Sequence, residues 1–129
     1  MTSQPQMDPK DTEAKLILSV ISDDYLSKLR VRGITPDNLL VWGNVLNFVY
    51  EYAEKYKKMQ SIETIYLSFP DFPVFSTNGL NPDYLIDISI ENAKKKKMRE
   101  LLSATIDVLD TDPNKAISQM ISGISSIRF

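Results

Sequence analysis

The sequence has no cysteine and no histidine in its 129 residues. Without cysteine there is no disulfide framework, no thiol nucleophile and no thiolate metal site. Without histidine the commonest zinc ligand and the usual neutral-pH general base are gone as well. Glycine is scarce: Gly33, Gly43, Gly79 and Gly123 stand singly. No glycine-rich loop can therefore cradle a phosphate, and no ATPase site is expected. No apolar run approaches the roughly 18 residues that a membrane-spanning helix needs. The polar opening from Met1 to Lys10 is unlike a signal peptide. A chain of a reducing intracellular compartment, with no metal and no cofactor, is the expectation. Basic residues are missing from one long stretch: none lies between Gln60 and Ala93, and then Lys94–Lys97 and Arg99 arrive together. A formal net charge of −2 supplies no global field to draw the chain to nucleic acid.

What is present points to helices. Hydrophobic residues at 43% and charged residues at 25% suit a single soluble domain with its own core. Thr35-Pro36-Asp37, Asn81-Pro82-Asp83 and Asp112-Pro113-Asn114 each place a capping side chain before a proline, where the missing N–H costs nothing. Asp8-Pro9 repeats the device, with Asp11 and Thr12 as alternative caps. Ala14, Ile17, Leu18 and Ile21 make one apolar helical face. A short second helix covers about Asp24–Arg30, until Gly33 stops it. A third is predicted from Pro36 to about Met59, with Trp42, Leu46, Val49, Ala53 and Tyr56 as its stripe. Ser61 caps a short helix that Pro70 ends, and Pro70–Leu80 reads as a loop. Only Glu63–Phe69 offers an argument for a strand. Pro82 to about Asp110 reads as one helix of about 40 Å, followed by a short turn and a return helix from Pro113.

The predicted fold class is therefore all-α: a compact helical head followed by a long antiparallel helical hairpin. Residues 1–10 are expected to form a disordered tail and 11–129 a single domain, with the head over 11–80 and the hairpin over 82–129. Trp42, Leu46, Val49 and Ile17 should be among the most buried side chains. The abrupt stop at Phe129 suggests a longer parent chain.

Four features compete for a functional role. The carboxylate pairs Asp83/Asp87 and Asp107/Asp110 stand at helical spacing, but no further ligand accompanies them. Charges that answer a helix N-terminus or sit in solvent explain them better. Tyr66, Phe69, Phe72 and Phe75 recur at every third residue. Stacking on nucleic-acid bases would need interleaved cations, which this stretch lacks, so the rings are expected to anchor the loop. Lys94, Lys95, Lys96 and Lys97 are candidate phosphate contacts. Four consecutive lysines sweep about 300° of helix and cannot all meet one ligand; pairs Glu91–Lys95 and Lys96–Glu100 would support them as a solvated stretch. Finally, Met98, Leu101, Leu102, Met120, Ile121 and Ile124 carry more apolar surface than one hairpin seam can bury. They form the candidate protein interface, with Met120 and Ile124 meeting Met98 and Leu102 of a second copy. No catalytic residue is identified.

The order of parts resembles the N-terminal domain of DnaB-type replicative helicases, particularly the smaller versions encoded by phages. Glu13-Ala14 with Leu16 to Ile21, then Leu26 and Leu29, and Ile34-Thr35-Pro36 leading to Trp42 are similar to its first three helices. Ser61-Ile62-Glu63 through Phe69-Pro70 is similar to the fourth. Tyr84-Leu85, Ala93 to Arg99 and Leu101-Leu102 resemble the long hairpin helix, and Asp112-Pro113 to Ile121 its return. The resemblance implies a non-catalytic domain of a DNA-replication protein. In that family the domain forms the collar of a hexameric ring, pairs through its hairpins and docks primase or a helicase loader. It also implies an ATP-driven motor beyond Phe129, through which alone DNA would be contacted. The competing expectations are a free-standing phage adaptor that binds host replication proteins and the helicase-binding domain of a primase.

Overall fold

A computed structural model of the protein describes residues 8–127. It contains six α-helices, α1 (Pro9–Asp23), α2 (Leu26–Val31), α3 (Gly43–Tyr56), α4 (Ile62–Ser68), α5 (Pro82–Leu109) and α6 (Pro113–Ser126), and a 3-10 turn, Pro36–Asn38. No strand occurs among the described residues, and Glu63–Phe69 lies mostly within α4. The expected tail over residues 1–7 lies outside the described residues, while Pro9 and Lys10 belong to α1. Its cap is Asp8, which accepts a hydrogen bond from the Lys10 amide.

The other proline-linked caps form as their chemistry requires. The Asn81 side chain accepts from the amides of Asp83 and Tyr84, Asp112 from that of Lys115, and Ser61 from that of Thr64. Each satisfies a donor that the first helical turn leaves without an internal partner.

α1 is the central element. One apolar face was expected of it, but Thr12, Glu13, Ala14 and every residue from Leu16 to Ile21 are buried. The cause is enclosure: α2, α4 and α5 all pack on it. α3 contributes Val45, Leu46 and Val49 to the same core, each with no exposed surface, whereas Trp42 keeps 9%. The predicted stripe on α3 ends early, because Tyr56 is half exposed.

The start of the third helix departs from expectation. Thr35-Pro36-Asp37 opens only the 3-10 turn, and α3 begins seven residues after Pro36, at Gly43. The reason lies on α1. The buried Glu13 carboxylate accepts hydrogen bonds from the backbone amides of Leu40, Val41 and Trp42 at 2.6, 2.9 and 2.9 Å. Amides committed to that carboxylate cannot join an intrahelical ladder, so the chain runs irregularly until they have been satisfied. A Cβ at Gly43 would collide with the Pro36 carbonyl oxygen, so the close return of the chain to the 3-10 turn requires glycine there.

α5 has a divided environment. Leu85, Ile86, Ser89, Ile90 and Ala93, in its first half, are buried, and this helix packs on both α1 and α6. After Ala93 no residue of α5 is fully buried. α6 follows a turn over 110–112 and returns along α5, bringing Gly123 against Leu101; a Cβ at Gly123 would overlap the Leu101 side chain.

Tyr50, on α3, donates its hydroxyl to the Ile34 carbonyl at 2.8 Å. Burial pushes its pKa up from 10.0 to about 12, against the smaller opposing effect of Arg30. The folded chain thus holds this proton more tightly than the unfolded chain does. The corresponding stability is complete below pH 10.0 and is lost as the pH rises towards about 12. In an alkaline titration followed by tyrosinate absorbance, one of the six tyrosines should ionise late, and Tyr50→Phe should abolish that step. Six tyrosines ionising together near their ordinary value would contradict the assignment.

Candidate interaction surfaces

The carboxylates gather no metal site: among the described residues no group of three or more metal-ligating side chains comes together. Asp83 and Asp87 instead face α2. Lys28 Nζ lies 2.7 Å from Asp83, and Arg32 Nη2 donates to Asp87 at 2.6 Å. Lys28 in α2 and Arg32 at its C-cap stand four residues apart, as do Asp83 and Asp87 in α5, so the two bridges repeat in register and orient α2 along α5. The hydrogen bond to Asp83 holds the Lys28 amine above its ordinary pKa, with burial opposing it. All four side chains are substantially exposed, so the bridges fix orientation more than they stabilise. Asp107 and Asp110 are exposed.

The aromatic loop residues are anchors. Phe72 is 2% exposed and meets Trp42 edge-on, with ring centroids 5.1 Å apart. Phe69 packs edge-on against Phe48 at 5.4 Å, and the Tyr66 hydroxyl donates to the Pro73 carbonyl at 3.3 Å. Phe75 lies under the Lys15 ammonium. The rings are thereby committed to holding the segment from Pro70 to Leu80 against the core.

The four lysines diverge, as the sweep of a helix demands. Lys94 lies 3.7 Å from Glu91, one turn back, in place of the expected Glu91–Lys95 pair. Lys96 turns towards the head and donates to the Asp37 carbonyl at 3.4 Å, in place of the expected Lys96–Glu100 pair. Lys95 is exposed and Lys97 half-buried. No single phosphate would meet all four.

Apolar surface is concentrated on the last two helices. Met98, Leu102, Ile106 and Leu109 along α5, and Ile117, Ile121 and Ile124 along α6, are each at least 37% exposed. Their spacing of three and four residues makes one stripe on each helix. Of the predicted interface residues, Met98, Leu102, Ile121 and Ile124 lie on these stripes. Leu101 and Met120 are half-buried, and Leu101 is committed to the contact with Gly123. The structure thus divides the six residues between an inner seam and an outer surface, a distinction that periodicity alone did not make.

A second surface escaped notice in the sequence. Phe48, Tyr52 and Tyr56 follow one another at four-residue intervals on α3, with ring centroids 6.1 and 4.6 Å apart. With Glu51 and Lys55 they line an open groove of about 270 Å³. The interleaving of rings and cations over Tyr50–Lys58 was the available signal; it was obscured because Tyr56 fitted the core stripe.

No protein-family model, no curated protein and no solved structure matches this chain. No described helix is long and apolar enough to cross a membrane.

Proposed function

We propose that this chain is a non-catalytic interaction and oligomerisation module, with a helical head and a hairpin arm built from the distal half of α5 and from α6. The observation that carries it is the pair of exposed apolar stripes on those helices. Stripes at helical spacing left open to water are costly for an isolated domain and gain stability when a second surface covers them. A two-fold contact between arms would cover the same surface on both copies. The resemblance to the N-terminal domain of phage-type replicative helicases supports the same role, a cytoplasmic ring collar that docks primase or a loader, with the motor elsewhere in the parent protein.

The test is sedimentation analysis across concentration, with helicity followed by circular dichroism. The unmodified chain should associate, and a Leu102→Glu, Ile124→Glu variant should be a monomer of unchanged helicity, because both side chains are already about half exposed. An unmodified chain that stays monomeric at high micromolar concentration would remove the self-association reading. A variant that unfolds would show that these residues belong to the core.

A further inference from the structure

The exposed stripes of α5 and α6 lie on one face of the arm. On α5, Leu101 faces Gly123 and the next residue, Leu102, turns outward. On α6, Ala116 is buried and Ile117 exposed, and Gly123 is followed by exposed Ile124. One step along a helix turns the side chain by about 100°. The two helices run in opposite directions, so the same turn away from their shared seam leads to the same side on both. Met98, Leu102 and Ile106 therefore continue sideways into Ile117, Ile121 and Ile124 as one apolar face.

Charge is unevenly spread along this face. Lys94–Lys97 and Arg99 crowd the root of the arm, while Leu101 to Asp112 contains three aspartates and no cation. Lys95, Arg99 and Asp110 are all exposed, and none of them makes an ion pair among the described residues. Helical rotation places them about 120–180° from Leu101, on the edge of the stripe that points away from α6. Asp110 stands eleven positions after Arg99, which is about three full turns, so cation and carboxylate share that edge. Glu91, one turn before Lys95, is already held by Lys94. The corresponding outer edge of α6 carries Asn114, Ser118 and Ser125, which have no charge.

We propose that two copies pair with their arms pointing in opposite directions, α5 against α5, and that Lys95, Arg99 and Asp110 select this arrangement. The inference rests on the self-association reading and specifies its geometry. A two-fold axis crossing the face beside Leu102 sets Leu102 against its own copy and Met98 against Ile106 of the second copy. Lys95 and Asp110 lie on either side of that axis, each roughly 11 Å from it along the helix. Each Lys95 thus reaches Asp110 of the second copy, with Arg99 beside it. An axis across the arms also keeps like edges together, so the charged edges meet on one side. The alternative two-fold, with arms pointing the same way, lays α5 on α6 of the second copy, as periodicity alone predicts. It sets the three charged residues against the uncharged edge of α6, where they gain nothing. Apolar contact is available to both arrangements, and the charges tell them apart.

The chain has no cysteine, so Thr111→Cys introduces a single spin-label site at the exposed tip of the arm. Double electron–electron resonance on the dimer should give a tip-to-tip distance of about 30 Å for opposed arms, against about 15 Å for arms pointing the same way. Sedimentation analysis of unlabelled variants supplies the charge test. Asp110→Lys, and separately Lys95→Glu with Arg99→Glu, should each weaken association by about ten-fold, because two attractive contacts per dimer become repulsive. All three substitutions together should restore it to within about three-fold, and added salt should weaken the unmodified dimer. The side chains are exposed, so helicity followed by circular dichroism should not change. A tip distance of about 15 Å, or a dimer indifferent to every charge reversal, would overturn this geometry and leave the self-association reading in place. An unmodified chain that is monomeric at high micromolar concentration would remove both.

Discussion

Replacing Trp42 by alanine should lower the unfolding free energy by about 3–5 kcal/mol, the range expected when a large buried aromatic side chain leaves a cavity. Trp42 does more than fill space. It meets Phe72 edge-on, and its indole N–H donates to the Lys10 carbonyl at 3.0 Å. Trp42→Phe keeps a ring and loses that hydrogen bond, so a smaller loss of about 1–2 kcal/mol is expected. Trp42 is the only tryptophan, so urea unfolding must be followed by circular dichroism. A loss below about 1 kcal/mol for the alanine variant would show that the head closes over the vacancy or that Trp42 is not part of its core.

The second large effect belongs to Glu13. Its removal strips acceptors from three backbone amides at once. A buried hydrogen bond to a carboxylate is worth about 1.5–3 kcal/mol. Leu40 and Val41 are partly open to water, which can replace the lost acceptor there, whereas Trp42 is buried. Glu13→Ala should therefore cost about 3–4 kcal/mol, less than three full bonds. Glu13→Gln orders the outcome further. One oxygen accepts from both Val41 and Trp42, so a glutamine carbonyl can keep those two, while its amino group confronts the Leu40 donor. Roughly half the alanine effect is expected, with faster exchange at the Leu40 amide. Equal stability of all three proteins would mean that the chain between the 3-10 turn and α3 finds other partners. Glu13 and Trp42 both tie the start of α1 to the start of α3, so combining Glu13→Gln with Trp42→Phe should be non-additive.

These two residues also mark where the sequence was legible. Caps are local devices. Asn81, Asp112 and Ser61 act on amides two or three residues away, and each helix starts where its cap stands. The Thr35-Pro36 pair is chemically the same signal, yet the amides that would have extended its helix bond to a carboxylate 27 to 29 positions earlier. No window along the chain contains that competition. α1 misled for a related reason. Thr12, Glu13 and Ser19 look like a solvent face by polarity but are enclosed by neighbours that only the tertiary fold supplies. Asp83 with Asp87 was visible as a helical spacing, but nothing local pairs them with Lys28 and Arg32. The outer stripe was anticipated from surplus apolar area, but separating Leu101 from Leu102 required knowing which of them faces Gly123. The aromatic row on α3 was hidden because core and surface rings look alike in sequence.

The divided environment of α5 has a mechanical consequence. One uninterrupted helix of 28 residues is clamped at its start inside the core, touches the head again through Lys96 and the Asp37 carbonyl, and has no fully buried residue beyond Ala93. Such an element behaves as a cantilever. A load applied near Leu109 meets no proline or glycine between there and Asp83 at which to dissipate. Whatever grips the far end therefore acts on Ile86 and Ile90, and through them on α1, as torque at the root.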